Sequence, residues 1–201
     1  MNSKITQLAK ISKSFCKQYK EDIKEIILFG SILRGKSVPN DIDILLIFFK
    51  TINKDIEYEL KKKLTLVFDN ISLISKSQEQ VYVSSFTARE SIIFEGYSLV
   101  TEEFIASLFG FNSLGIFVYD TKKLNNTNKT RFYYALNGRR KAKGITDALE
   151  AIKLSDNIIA VPLQNIEAAK AFFEQWNLEY NYVPSLIPSR LAKKSIIGKV
   201  R

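Results

Sequence analysis

The chain has 201 residues and a net charge of +9, from 30 Lys and Arg against 21 Asp and Glu. It has no histidine and one cysteine, Cys16, which excludes histidine general bases, Ser-His-Asp triads and zinc sites built from histidine or several cysteines. It has no apolar run of about 18 residues and no signal-peptide core at its start. We therefore expect a cytoplasmic protein without a membrane span, in which Cys16 is reduced and packs as a small apolar side chain.

The positive charge is concentrated in the C-terminal part of the chain. Residues 120–201 carry 15 Lys and Arg against 7 Asp and Glu, whereas residues 1–119 carry 15 against 14. With the polar connector that follows residue 120, this shift predicts two domains, 1–120 and 121–201. The basic excess favours a polyanionic partner for the second domain, and an ordinary solvated surface is the alternative.

Taken in chain order, the first predicted element is an amphipathic helix with apolar residues at three- and four-residue steps: Ile5, Leu8, Ile11, Phe15 and Tyr19. Two apolar runs follow, 26–29 and 44–49. Gly30-Ser31 ends the first run, and Asp41-Ile42-Asp43 leads into the second. This order predicts a strand, a glycine turn with a short helix, a loop and a second strand.

The two aspartates predict a cation site. Side chains two residues apart leave a strand on the same face, so Asp41 and Asp43 should point the same way while Ile42 points into the sheet. Mg2+, or Mn2+ in its place, takes such oxygen ligands together with phosphates. Backbone N–H groups at Gly30-Ser31 suit a phosphate, so the combination favours metal-assisted phosphoryl or nucleotidyl transfer.

These residues carry a resemblance to a known family. Gly30-Ser31, Arg34-Gly35 and Asp41-Ile42-Asp43, with nine residues between Ser31 and Asp41, resemble the signature of the DNA polymerase beta-type nucleotidyltransferase superfamily, closest to its minimal stand-alone branch. The resemblance covers residues 20–50 strongly and 1–95 loosely.

The resemblance implies an α+β fold, with a nucleotidyltransferase-type mixed sheet flanked by helices. It implies that Asp41 and Asp43 are the catalytic and metal-binding residues and that Gly30 and Ser31 hold the triphosphate. Arg34 and Lys36 lie where they could reach the nucleotide phosphates.

The rest of the first domain raises a difficulty. Its predicted elements are a helix over 56–68, strands over 71–75 and 81–87, helices over 87–99 and 101–110, and a strand over 114–119. The superfamily usually supplies a third carboxylate from a strand after the Asp-x-Asp strand. Residues 81–87 contain no acid, and Gln80 stands near the expected place. Glu79, Glu90 and Glu95 are nearby acids that we expect to be surface charges, although one of them could serve instead.

The second domain begins with a predicted helix that ends at Gly138. Tyr133 and Tyr134 lie among basic residues that predict nucleic-acid contact through backbone charges and base stacking: Arg131, Arg139, Arg140, Lys141 and Lys143. Two of the three rings at 132–134 are expected to face the core.

A helix over 145–153, a strand over 158–163, a helix over 165–177 and a strand over 178–183 predict a small α+β unit. A winged-helix-like arrangement is the alternative. Residues 190–201 are predicted to be a basic arm.

Two functions follow from these patterns. The first is a Mg2+-dependent nucleotidyltransferase that moves a nucleoside monophosphate from a nucleoside triphosphate to an RNA or protein hydroxyl, as in the minimal branch that modifies a partner toxin. The second is a weak or inactive module of the same fold that binds nucleic acid or a partner protein, like an antitoxin. Residues 95–99 and 134–139 are also similar to segments of archaeal proteins with this domain, a likeness that carries no assigned function.

Overall fold

The computed structural model describes residues 3–36 and 39–191. The chain divides into two units, one formed by Met1–Leu33 and Ser37–Phe109 and the other by Arg34–Lys36 and Gly110–Arg201. Most of the predicted basic arm, from residue 192 onward, lies outside the described residues. In the described ranges, no helix has the length and apolar character needed to cross a membrane.

The first unit is built on a mixed four-stranded sheet in the order β3-β2-β1-β4. β2 runs antiparallel to β1 and parallel to β3, and β4 pairs with the other edge of β1. The elements in chain order are α1 (Ser3–Gln18), β1 (Ile23–Phe29), β2 (Ile42–Phe48), α2 (Lys54–Leu64), β3 (Ile71–Ser77), α3 (Gln78–Val81), α4 (Arg89–Glu95), β4 (Tyr97–Ser98) and α5 (Ile105–Leu108).

Both faces of the central strands are apolar, as expected for buried strands. Ile42, Ile44 and Leu46 of β2 pack with the apolar faces of α1 and α2 in one cluster. Leu45 and Ile47, on the opposite face, pack with Phe86 and with Ile92 of α4. The expected helices and strands around residues 3–77 are therefore present, with ends shifted by a few residues.

Three predictions for the first unit are wrong. Residues 31–35 form turns rather than a short helix. Residues 81–87 are not a strand, because the Ser77 side chain and Gln80 form a reciprocal helix cap that ends β3 and starts α3. The predicted helices over 87–99 and 101–110 shrink to α4 and α5. Gly96 adopts an extended conformation at the end of α4.

The second unit contains a four-stranded antiparallel sheet in the order β10-β5-β9-β8 and a separate hairpin of β6 and β7. The elements in chain order are β5 (Phe111–Asp120), α6 (Asn126–Asn137), β6 (Gly138–Arg139), β7 (Ala142–Lys143), α7 (Ile145–Ala148), β8 (Ile152–Ser155), β9 (Ile158–Pro162), α8 (Ile166–Gln175) and β10 (Glu179–Pro188).

Aromatic side chains hold α6 and α8 together within this unit. Phe132 of α6 contacts Phe172 of α8, with ring centroids 5.7 Å apart. Phe173 of α8 stacks on Phe117 of β5, with ring centroids 5.5 Å apart. Phe172 and Phe173 are buried, so this face of α8 is part of the core of the unit.

Two features of the second unit differ from the sequence interpretation. β5 pairs along its length with β10 and β9, so the structure divides the chain after residue 109 rather than after residue 120. The predicted helix over 145–153 is only α7, followed by β8. The hairpin separates α6 from α7, which favours the α+β arrangement over the winged-helix alternative.

Cys16 is half-buried and packs against the core of the first unit. Burial, reinforced by the neighbouring Glu25 carboxylate, raises the pKa of the Cys16 thiol to about 12. A thiol with so high a pKa is almost entirely protonated at neutral pH and is a poor nucleophile.

Candidate functional site

Gly30 lies at the end of β1 and faces the β2 aspartate. Its φ of +93° favours glycine, and a Cβ added there would lie 2.5 Å from Asp43 Oδ2. Phe29, the residue before Gly30, is paired with Asp43 in the sheet. Only a residue without a side chain lets the turn approach the carboxylate this closely.

Asp41 and Asp43 follow the predicted alternation along β2. Ile42 and Ile44 are buried, whereas Asp41 is exposed and Asp43 is half-buried. Two carboxylates on one strand end, completed by water and phosphate oxygens, are a suitable donor set for one Mg2+. Among the described residues, no group of three or more acids, cysteines or histidines could hold a metal by itself.

The neighbouring strand places a serine beside the aspartates. β3 runs parallel to β2, and Ser72 is paired with Asp43. This is where the strand after the Asp-x-Asp strand could present a third carboxylate. In the sequence, Gln80 stands near the place expected for the third carboxylate. In the structure, Gln80 is exposed and its side chain caps α3. A prediction of which β3 residue faces Asp43 needs the β2–β3 register, and no local pattern specifies that register.

Of the three nearby glutamates, Glu79 and Glu90 are exposed, as expected. Glu95 is not a surface charge, because it is only 3% exposed. The Gly30 N–H donates to Glu95 Oε1 at 3.1 Å. The sequence alone therefore does not reveal this buried carboxylate at the glycine turn. The one local signal is its position inside an apolar segment, between Phe94 and Tyr97.

The same hydrogen bond changes the expected phosphate contact. The N–H of Gly30 points to a carboxylate and is not available to a phosphate in this arrangement. Ser31, the next residue, is half-buried in the turn. Ser31 is therefore the better placed of the two for a phosphate contact.

Arg34 and Lys36 belong to the segment that groups with the second unit. Arg34 Nε donates to Glu167 Oε1 of α8 at 3.0 Å. Burial raises the pKa of the Glu167 carboxyl, but hydrogen bonds from Lys170 and Arg34 outweigh it and hold the pKa below its ordinary value. Lys36 is exposed. The expected phosphate contacts of both residues stay predictions.

A comparison with known protein families matches the segment that contains the glycine turn and the two aspartates. Residues 10–96 match the family model described as polymerase beta, nucleotidyltransferase. This segment is a nucleotidyltransferase-family domain. It runs from the middle of α1 to the residue after α4 and contains Gly30, Asp41, Asp43 and Glu95.

The solved structures that are similar to part of this chain are distant. A toxin–antitoxin structure with AMP-PNP has 22% identity and a TM-score of 0.35, covering 45% of this chain and 71% of that chain. A tri-AMPylated Shewanella oneidensis HEPN toxin in complex with MNT antitoxin has 20% identity and a TM-score of 0.33, covering 47% and 71%. Another structure from Shewanella oneidensis has 17% identity and a TM-score of 0.32, covering 46% and 69%. No curated protein matches the chain.

The basic residues predicted in the second unit lie on and near one hairpin, which we call the basic ribbon (residues 138–143). Four of its side chains are exposed and positively charged: Arg139, Arg140, Lys141 and Lys143. Arg131 is exposed on α6, which leads into the ribbon. Arg140, at the tip of the hairpin, has a φ of +56°, in the left-handed region used by tight turns.

Two tyrosines of α6 are exposed near this hairpin. Tyr133 is 53% exposed and Tyr134 is 37% exposed, while Phe132 is buried. The expectation that two of these three rings face the core is therefore wrong. The Arg139 guanidinium carbon lies 4.7 Å from the centroid of the Tyr134 ring, and Lys153 Nζ lies 5.7 Å from that of Tyr133. The unit thus presents exposed rings together with cations.

Proposed function

We propose that the nucleotidyltransferase domain transfers a nucleoside monophosphate from a nucleoside triphosphate to a hydroxyl group, with Mg2+ as cofactor. The observation that carries the proposal is the close approach of Asp43 Oδ2 to the side of Gly30 where a Cβ would stand, which supports a common site for the acid pair and the glycine turn. The family match over residues 10–96 supports nucleotidyl transfer as the general reaction.

Each residue of this end of the sheet has a role in the proposal. Asp41 and Asp43 would hold Mg2+, which neutralises charge on the phosphates as the reaction proceeds. Ser31 would orient the triphosphate. The acceptor oxygen forms a bond to the α-phosphorus while the bond to the bridging oxygen breaks, and pyrophosphate leaves with that electron pair. The acceptor proton passes to solvent in this proposal, because Ser72 supplies no carboxylate base beside Asp43.

We further propose that the second unit binds RNA, and that this RNA is either the acceptor of the transferred nucleotide or a partner that is not modified. Exposed Tyr133 offers a ring on which a base can stack, and the basic ribbon offers charges for the phosphate backbone. A protein hydroxyl is the other acceptor class. If a protein is the acceptor, substitutions in the basic ribbon should not change the rate of transfer.

The second candidate function is a nucleotide-binding module with little or no turnover. The observation that favours it is Ser72, a neutral residue at the β3 position paired with Asp43. Such a module would bind RNA or a partner protein without modifying it. The two functions differ in whether label moves from the nucleotide to an acceptor.

The test incubates the full chain with Mg2+, each α-labelled ribonucleoside triphosphate, and either RNA or cell extract. An enzyme transfers label, and Asp43→Asn lowers transfer at least about a hundredfold because it removes a charged metal ligand. Asp55→Asn is the matched control, since Asp55 is an exposed aspartate on α2. Absence of transfer from all four nucleotides to either acceptor, with nucleotide binding intact, would establish the module instead.

A further inference from the structure

Glu95 is the only buried charged residue among residues 3–36 and 39–191. Burial of a carboxyl group is unfavourable unless hydrogen bonds or opposite charges compensate for it. Glu95 sits at the last position of α4, next to buried Phe94 and Gly96. We therefore expect the Glu95 carboxyl group to have a specific function at the end of α4.

Its hydrogen bond points to that role. Glu95 Oε1 accepts the Gly30 N–H at 3.1 Å, and 65 residues separate the two in sequence. A buried backbone N–H that loses its hydrogen-bond acceptor carries a desolvation penalty, so the acceptor at this turn matters for its conformation. The bond therefore fixes the backbone of the glycine turn to the end of α4.

Gly30 is thus constrained on two sides. Its N–H is held by Glu95, and the side where a Cβ would stand is filled by Asp43 Oδ2. Its φ of +93° is a conformation that L-residues other than glycine rarely adopt. A rotation of the turn would break the bond to Glu95 or change the contact with Asp43, and it would move Ser31 in either case.

We propose that Glu95 is a positioning residue that holds the Gly30-Ser31 turn in the orientation that accepts the triphosphate. The inference rests on the proposed function in one respect, because the expected effect of Glu95 is on the binding of a metal–nucleotide complex. Glu95 acts through Gly30 and touches neither the nucleotide nor the metal. Because it occupies the Gly30 N–H, the phosphate contact belongs to Ser31.

Two substitutions separate the hydrogen bond from the charge. Glu95→Gln keeps an oxygen that can accept the Gly30 N–H, so it retains part of the effect. Glu95→Met keeps a similar volume but cannot accept the bond. Glu90→Met is the matched control, because Glu90 lies on the same helix and is exposed.

The experiment measures two properties of each folded variant. The first is the amide proton shift of Gly30 in 15N-labelled protein without nucleotide. The second is the affinity for Mg2+ with each ribonucleoside triphosphate, by calorimetry. In Glu95→Met we expect the Gly30 amide to move upfield and the affinity to fall about tenfold, since the Gly30 N–H loses its hydrogen-bond acceptor. Glu95→Gln should give intermediate values, and Glu90→Met should match the parent chain.

The outcomes also separate this inference from the proposed function. If the parent chain binds no nucleoside triphosphate, the proposed function fails, and the amide shift alone decides whether Glu95 holds the turn. A Gly30 amide that is unchanged in Glu95→Met overturns the inference. If the parent chain binds the metal–nucleotide complex, an affinity that is unchanged in Glu95→Met also overturns the inference. Should Glu95→Met fail to fold, Glu95→Leu, which also cannot accept the bond, takes its place in both measurements, and an unchanged Gly30 amide in that variant overturns the inference.

Discussion

The two units carry their polar groups in different ways. In the nucleotidyltransferase domain, Gly30, Asp43 and Glu95 are held within contact distance at one end of a mixed sheet. In the second unit, the basic ribbon and the tyrosines of α6 are exposed to solvent. The first arrangement depends on short distances, whereas the second depends on the number of charges.

This difference predicts different responses to mutation. A site made of short contacts loses function when one atom is displaced, because the geometry cannot adjust inside a packed core. A surface made of exposed charges loses affinity gradually and in a salt-dependent way. The predictions below test this contrast, beginning with the largest expected effect.

Gly30→Ala should nearly abolish nucleotide binding and transfer. The new Cβ would stand 2.5 Å from Asp43 Oδ2, so either the turn or the aspartate must move, and we expect a loss of at least about a hundredfold. Gly110→Ala is the control, because Gly110 also has a positive φ but a Cβ there meets nothing within 4 Å. Both variants should lose about 1–2 kcal/mol of unfolding free energy from backbone strain, and only Gly30→Ala should lose nucleotide binding in calorimetry.

Removal of two charges from the ribbon should weaken RNA binding by about tenfold at moderate salt. The variant is Arg140→Gln with Lys141→Gln, both exposed. The slope of log affinity against log salt should become less steep by about 1.4, since each lost phosphate contact on a single strand contributes about 0.7. Lys122→Gln with Lys123→Gln is the matched control, because these exposed lysines pair with Asp120 and Glu179. Equal losses in the two variants would argue for a diffuse positive surface instead of a site at the ribbon.

Ser72→Asp should strengthen metal binding by about fivefold, because it adds a third carboxylate beside Asp43. Without metal the extra charge should lower the melting temperature, and Mg2+ should raise it more than in the parent chain. Ser72→Asn is the neutral control of similar size. If Mg2+ stabilises the Asp and Asn variants equally, Ser72 does not face the metal position.

Glu25 should contribute a small pH dependence to stability. Burial raises the pKa of its carboxyl above the ordinary value of 4.5, although hydrogen bonds from Ile26 and Ser98 oppose the shift. The folded state therefore binds the proton more tightly than the unfolded state, so the free energy of unfolding falls as pH rises from 4.5 through the raised pKa. Glu25→Gln should remove this fall, as measured by urea unfolding at several pH values. A parallel pH profile in the two proteins would contradict the shift.

The parts of the site that the sequence predicts are local in the chain. Asp41 and Asp43 are two residues apart, and the alternation of a strand is enough to place them on one face. Gly30 is likewise marked by the end of an apolar run. The helix α1 follows from its apolar spacing, and the end of α6 follows from Gly138. These features need no knowledge of distant contacts.

The parts that the sequence does not predict depend on contacts between distant segments. Glu95 becomes a buried hydrogen-bond partner only when α4 meets the end of β1. Ser72 is identified only by the register of β3 on β2. At residues 81–87, β-branched and aromatic residues favour a strand, but the cap formed by Ser77 and Gln80 begins a helix first. Tertiary contacts decide the first two cases, whereas the capping box of Ser77 and Gln80 is a local signal that the strand propensity of residues 81–87 obscured.

The most direct test of the central claim replaces Mg2+ by paramagnetic Mn2+ in 15N-labelled protein with a nucleoside triphosphate. The proposed site predicts that the amide signals of Ser31, Asp41 and Asp43 broaden first, at substoichiometric Mn2+, and that Asp43→Asn abolishes the effect. Broadening that starts at other residues of the chain, or that persists unchanged in Asp43→Asn, would contradict a metal–nucleotide site at the glycine turn.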